Sequence, residues 1–472
     1  MKRISPFLTA GVFLFFLWIF CARASAQAPP SIRILLGQET PQAEFRVLRG
    51  DYCLVDLESG REMGKVAPGE ACRAEVKGGI LSLYRNNLET PLRCGLKLKA
   101  LGDPGESLFA YRGCRYRGEL TLLVGEKGLL AINTLDMERY LYGVVGKEMP
   151  ASAPVEALKA QAIISRSYAY SHLRPAALYD LKDSEASQVY KGYEAELSYG
   201  PYSSRVKEAV DSTRGQVLLY EGKVVEACFH ANAGGHTEDC ENVWSGSRPY
   251  LKGVPSPEDD WAVRYPNQTP GGWPASSYTW SLCLSRQEVE DRVRSWLSRQ
   301  GRSLEGQVVD LLFNRQGEGG GETVSGRVTR VDIKTTQGTI TVCKDAIRGV
   351  LGLKSTLFQG EMDSTVYILT GGGRIYSKSY GGDLAVLGAQ GCSPSPNGPA
   401  EEYFLKGKYG EKKVPKIFTR ITFQGKGHGH GVGLSQWGAM GMAIKGYNCR
   451  QILEHYYNQG KFDQRLQVAA LY

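Results

Sequence analysis

The chain has only six histidines in 472 residues (His172, His230, His236, His428, His430 and His455), so histidine chemistry has few places to occur. Cys228, His230, His236 and Cys240 fall within 13 residues, and four nitrogen and sulfur groups so close could bind zinc tetrahedrally. The same two cysteines instead suit a disulfide with both imidazoles in solvent, because the spacing matches no known ligand pattern. His428 and His430 alternate with glycine in Gly427-His428-Gly429-His430-Gly431, a stretch open enough for a ligand to approach the backbone. A plain tight turn before a helix is the alternative. No nucleophile elbow G-x-S-x-G follows an expected strand, and no Walker loop or H-E-x-x-H occurs, which argues against serine-hydrolase, nucleotide and zincin chemistry.

A second group of motifs runs in a fixed order. Tyr140-Leu141-Tyr142-Gly143-Val144-Val145-Gly146-Lys147-Glu148-Met149-Pro150 is followed by Glu156 to Ala162 and by Arg166-Ser167-Tyr168. Then come Gln188-Val189-Tyr190-Lys191-Gly192, Ala233-Gly234-Gly235-His236-Thr237-Glu238, and Gly427 through Ser435-Gln436-Trp437-Gly438-Ala439. Together they resemble the stage II sporulation protein D family, which includes the amidase enhancers, from about Tyr116 to Tyr457. Ser325-Gly326-Arg327 and Leu351 to Thr356 resemble that family's inserted region. The resemblance implies lytic cleavage of peptidoglycan glycan strands, with Glu148 of the E-M-P motif as catalytic acid and Arg166 also important for activity. It aligns Tyr250 and Lys252 with a further functional pair. Gln188, Tyr190, Ser435 and Gln436 offer hydrogen bonds and a stacking face for an aminosugar strand, although each taken singly reads as structural, and His428 and His430 join them as substrate-binding candidates. The implied partners are stem-peptide-free glycan strands and a cell-wall amidase, with no nucleic acid. Some members bind zinc through a Cys/His cluster before the Q-V-Y motif; here Ser184-Glu185-Ala186-Ser187 stands there, so no metal or cofactor is expected.

One carboxyl group suffices for such a reaction. A glycosidase that delivers water uses two carboxylates, about 5–5.5 Å apart when retaining and about 6.5–9.5 Å when inverting. A lytic transglycosylase uses the muramic acid's own 6-hydroxyl as nucleophile. The acid protonates the leaving glycosidic oxygen, its carboxylate then takes the hydroxyl proton, and a 1,6-anhydro end results. Glu148 must then hold a proton near neutrality, which requires a pKa raised toward ~6–7 by apolar neighbours such as Tyr142, Val144, Val145, Met149 and Pro150. Position alone suggests instead a solvated glutamate ahead of a helix. Arg166 lies on a closely packed helix, where an unpaired charge is costly, so it either bridges a carboxylate or holds the lactyl or N-acetyl groups of the sugar. A non-enzymatic wall-binding protein that stimulates an amidase is the rival reading.

The elements that must position these groups are legible in pattern. Short apolar runs (Ile34 to Leu36, Phe45 to Leu48, Ile80 to Tyr84) between turn residues predict a β-rich module. Glu119 to Val124 and Gly128 to Asn133 read as a hairpin. A helix is expected over Val155 to His172, capped by Ser152, with Pro154 in its first turn and Leu158, Ala162, Ser165 and Ala169 on its packed stripe. Ser285 with Glu288, and Asn448 with Gln451, form capping boxes for later helices, and another helix is expected from Ser435 to Lys445. The fold expected is α+β: a β-rich N-terminal module and a mixed catalytic region interrupted by an inserted α/β subdomain. Its divisions are 1–26 (signal peptide), 27–116, 117–260, 261–362 (the insertion) and 363–472.

Composition agrees with an exported, folded chain. Lys2 and Arg3, the apolar run Phe7 to Cys21 and Ala24-Ser25-Ala26 read as a secretory signal, an uncleaved anchor being the alternative. The expected location is therefore the cell wall or the outer face of the cytoplasmic membrane. The net charge of +8, lowered by the three basic residues of that signal, is mild and dispersed, suiting an anionic wall rather than nucleic acid. The 57 glycines favour a turn-rich, strand-rich fold. Eleven cysteines leave ten without Cys21. Cys53, Cys72, Cys94 and Cys114 either form one or two bridges or stay as buried thiols.

Overall fold

The computed structural model describes residues 28–264, 278–369, 373–378, 385–388, 391–394, 402–407 and 410–472. The signal at 1–26 and part of the stretch Thr365 to Leu387 lie outside them.

The fold is α+β. Its N-terminal strands alternate buried and outward residues, as Ile32 and Ile34 do around Arg33, and form two antiparallel layers around a shared core. One is a seven-stranded sheet in the order Leu181–Lys182, Ser31–Leu35, Leu129–Asp136, Glu119–Val124, Gly95–Ala100, Tyr52–Asp56, Glu62–Val66. Only Leu181–Lys182 runs parallel to its neighbour there. The other has six strands, from Cys114–Arg117 to Leu88–Leu92. The expected hairpin occupies the middle of the larger sheet, pairing Val124 with Leu129. That sheet therefore runs across position 116/117. An aromatic chain carries the core onward: Tyr52 meets Phe109 (6.5 Å between centroids), Phe109 stacks on Tyr116 (5.6 Å), and Tyr190 bridges Tyr116 (6.2 Å) to Tyr140 (5.2 Å).

The central helix is Val155–Ser171. Its first turn differs from expectation. Pro154, not Ser152, is the N-cap residue, and the Pro154 carbonyl takes the first helical bonds from Ala157 and Leu158 (3.0 and 3.1 Å). Leu158, Ala162, Ser165 and Ala169 are all fully buried. The small Ala162, Ser165 and Ala169 admit close packing of the central helix, which meets the helices Ser203–Asp211, Gln436–Ile444 and Cys449–Asn458 and the strand Gln216–Tyr220 on several sides.

A second core gathers Trp280 through Met362 with Phe418, Ile421 and Phe423. Its helix Arg286–Ser298 starts at the expected Ser285/Glu288 capping box. The strand Arg420–Lys426 lies between Thr279–Ser285 and Phe358–Met362. From there the chain passes through Gly427 to Gly433 back to the first core, so the histidine-glycine turn joins the two cores. Nine cysteines stand as free thiols, Cys53, Cys72, Cys94 and Cys114 among them. Among the described residues no helix is long and apolar enough to cross a membrane.

Candidate active-site groove

Glu148 ends the short helix Val145–Glu148, after which Met149 turns the chain into extended backbone. Two glycines, Gly146 within this helix and Gly143 just before it, let the segment pack closely. A Cβ on Gly143 would stand 2.7 Å from the Tyr190 ring, and one on Gly146 would stand 2.6 Å from the Tyr199 ring. The aromatic rings seat the helix directly on its backbone. Gly146→Ala is therefore expected to cost about 1–3 kcal/mol in chemical denaturation by overpacking a site that cannot yield.

The Glu148 carboxyl lies on the wall of a groove of about 910 Å³. Tyr168, Tyr199, Trp244, His428, His430 and Gln436 share that wall with it. Burial raises the Glu148 pKa to about 7, with a smaller push from the charge of Glu185. The Val189 N–H, donating to Oε1 at 2.6 Å, and the Gln436 side chain oppose that shift without overcoming it. The carboxyl is thus half-protonated near neutrality and held in one orientation. Gln436 is itself fixed from behind by Gln161 (3.4 Å), which donates to Ser165 on the central helix (3.0 Å).

The histidine-glycine turn meets the same groove, for a reason other than the one expected. Its glycines make room for protein rather than for a ligand. Gly431 (φ +85°) has the Arg327 guanidinium where a Cβ would be, and Gly433 (φ +70°) has the Cys228 carbonyl there. His428 and His430 carry the groove-facing chemistry. His430 accepts from the Val432 N–H through Nδ1 (3.0 Å), so Nε2 bears the proton that it donates to the Phe229 carbonyl (2.9 Å). Burial lowers its pKa to about 4, leaving a neutral ring against Trp244 at 4.7 Å between centroids. His428 is more exposed, and burial followed by the charges of Lys354 and Arg348 lowers its pKa too.

Other expected site residues lie elsewhere. Arg166 is fully buried and bonds Glu138 through Nε (3.0 Å) and Nη2 (2.7 Å), with Nη1 on the Gln216 carbonyl (2.9 Å). Of the two roles open to it, bridging a carboxylate is the one it fills, and it does not line the groove. Gln188 is fully buried and accepts from Tyr140 (3.0 Å); Tyr190 is in the core and donates to Asn133 (2.7 Å). Tyr250 packs on Tyr220, and Lys252 pairs with Asp239 and Glu241. Ser435 caps the helix Gln436–Ile444 and donates to buried Asp259. These six side chains hold elements in place, engaged by protein partners away from the groove. The 228–240 cluster does not converge either. His230 turns Nδ1 to the Val432 carbonyl (3.1 Å), His236 turns Nδ1 to the Thr237 carbonyl (2.6 Å), and Cys240 accepts from Arg248 N–H (3.2 Å). Among the described residues no three His, Cys, Asp or Glu groups are set to hold a metal.

Sequence reasoning missed Tyr168, Glu185, Trp244, Asp345 and Arg348, all of which line the groove. Tyr168 was in view as part of a motif, and Glu185 only within the stretch that stands where some relatives bind zinc. The helix Ala346–Leu351, which carries Arg348, gave no local signal of its destination.

Residues 125–220 match the family model described as stage II sporulation protein, and residues 271–374 match one described as a domain of unknown function. The chain is 27% identical over 417 residues to an uncharacterised protein of Brachyspira hyodysenteriae, covering 86% of this chain and 90% of that one. It is 27% identical over 338 residues to the stage II sporulation protein D of Bacillus amyloliquefaciens, covering 69% of this chain and 74% of the relative. With the amidase enhancer of Bacillus subtilis it shares 26% identity over 344 residues, 67% of this chain but only 39% of that longer protein.

Proposed function

We propose that this relative of the stage II sporulation protein D and amidase-enhancer family is an exported peptidoglycan lytic transglycosylase acting on stem-peptide-free glycan strands. The observation that carries the reading is a single carboxyl group, raised to a pKa of about 7, on the wall of a groove lined by aromatic rings and neutral imidazoles. Protonated Glu148 gives its proton to the leaving glycosidic oxygen, and the carboxylate formed accepts the proton of the muramic 6-hydroxyl as that oxygen closes on the anomeric carbon. No water enters, so one end of each cut strand is a 1,6-anhydro sugar. Trp244 and Tyr168 supply faces on which sugar rings stack, and Gln436 orients the acid. The amidase-enhancer relative favours a second reading, in which the groove binds strands and the protein stimulates an amidase at the wall. Incubation with purified glycan strands, alone and with an amidase added, separates the two, since only the first reading gives cleavage by the protein alone.

The acid form must be present at the start of each turnover, so cleavage is expected to fall as pH rises through about 7. Glu185→Gln removes a charge that raises the Glu148 pKa, and the falling limb of the pH profile is expected to move to lower pH with cleavage retained. Stability carries the same sign. Glu148 keeps its proton when folded but ionises above about 4.5 when unfolded, so its contribution is full below pH 4.5 and is lost as pH rises to about 7. His230 and His430, whose pKa values burial lowers, lose stability in the opposite direction, as pH falls. The difference in melting temperature between wild type and Glu148→Gln isolates the glutamate, and wild type should lose ground from pH 4.5 to 7. A pH-independent difference would mean that Glu148 titrates as an ordinary surface acid.

A further inference from the structure

The second core does more than complete the fold, because it brings a cation to the groove. Asp345 N–H bonds the Val243 carbonyl (3.3 Å) and Lys344 bonds the Trp244 carbonyl (3.0 Å), which fixes this segment against the first core. The helix Ala346–Leu351 that follows is tied at its other end, where Arg292 bonds the Leu351 carbonyl (2.7 Å). Arg348 is thereby held at the groove on a rigid support. Asp345 grips its guanidinium in a fork, Nε at 2.6 Å and Nη2 at 2.8 Å, and Nη1 makes no hydrogen bond among the described residues. The pair is about one-quarter exposed. The nearby imidazoles add no charge, since the charge of Arg348, behind burial, helps keep His428 and His430 neutral. Lys147, beside Glu148, is the other lysine or arginine lining the groove among the described residues.

A fixed guanidinium with a spare N–H edge recognises an anion, and a carboxylate fits it best. On a glycan strand the anionic group is the lactyl carboxylate of muramic acid, which is free when the stem peptide is gone and an uncharged amide when it is attached. We infer that Arg348 reads this free lactyl carboxylate and so selects strands without stem peptides, a specificity role at the groove that buried Arg166 cannot fill. Asp345 orients the fork and also competes with the ligand for it. The inference rests on the glycan-strand reading above but not on cleavage.

The test is binding in the Glu148→Gln background, which removes turnover. Its two probes are a muramic-acid-containing oligosaccharide with free lactyl carboxylates and the same oligosaccharide with those groups converted to methylamides. The parent is expected to prefer the carboxylate form about tenfold, as one charge-assisted hydrogen bond warrants. Arg348→Gln should lose that preference with amide binding unchanged. Asp345→Asn, which frees the guanidinium, should strengthen the preference, a change of sign that a merely structural pair would not give. Equal binding of the two forms by the parent, or a preference that survives Arg348→Gln, overturns the inference. Failure of the wild type to cleave strands while the preference holds would instead overturn only the proposed reaction.

Discussion

Glu148→Gln lowers glycan-strand cleavage by about 10²–10⁴-fold, the range that a positioned acid–base group contributes. The amide is the same size as the acid and can still accept the Val189 N–H, so the groove keeps its shape. Removing an ionisable group from a site where burial opposes its charge should also leave the variant at least as stable as wild type at pH 8. Strand binding should persist, because the stacking faces and imidazoles are untouched. The combination to look for is a folded protein that binds and does not cut. Loss of folding would assign Glu148 a structural role, and undiminished cleavage would place the acid elsewhere.

Arg166→Met is expected to cost about 3–5 kcal/mol of stability. The variant leaves the Glu138 carboxylate with no exposure and without its counter-charge, retaining only Gly215 N–H (3.1 Å) and the Tyr472 hydroxyl (2.7 Å). Burial raises the Glu138 pKa, but the charge and hydrogen bonds of Arg166 outweigh it and hold the carboxyl below the ordinary range. Removing the guanidinium reverses that balance. The pair joins Met137–Tyr142 to the central helix, so its loss loosens the segment leading to Glu148. Adding Glu138→Gln removes the stranded charge, and the double variant should regain a large part of the loss in chemical denaturation. If Arg166 held substrate instead, the single variant would melt normally and fail only in binding. A loss of activity on its replacement therefore reads as a loss of scaffold.

The sequence revealed most where the physics is local. The capping boxes at Ser285 and Asn448, the hairpin of Glu119–Val124 with Leu129–Asp136 and the central helix all follow from neighbours a few residues apart. Ser152 failed as a cap because the Pro154 carbonyl opens the helix two residues later. Glu148, Gln436, His428 and His430, all singled out through the motifs, line one groove. The same motifs also contain Arg166, Gln188 and Tyr190, which are held in a buried ion pair and a core hydrogen-bond network; a motif alone does not separate a residue that touches the ligand from one that holds the backbone. Trp244 and Arg348 were hidden for a different reason. They are about a hundred residues apart and meet at the groove because Lys344 and Asp345 bond to Val243 and Trp244, a long-range pairing that periodicity does not encode.

Glu185 gives the central claim its sharpest test, because a second carboxylate on the groove is what a water-delivering hydrolase would use. The decisive measurement is mass spectrometry of the ends made from stem-peptide-free glycan strands by wild type, Glu148→Gln and Glu185→Gln. Anhydro ends, one water lighter than hydrolytic ends, are expected from wild type and Glu185→Gln and not from Glu148→Gln. Reducing ends that carry oxygen from labelled water, or anhydro ends undiminished in Glu148→Gln, would contradict a single acid working with the sugar's own hydroxyl.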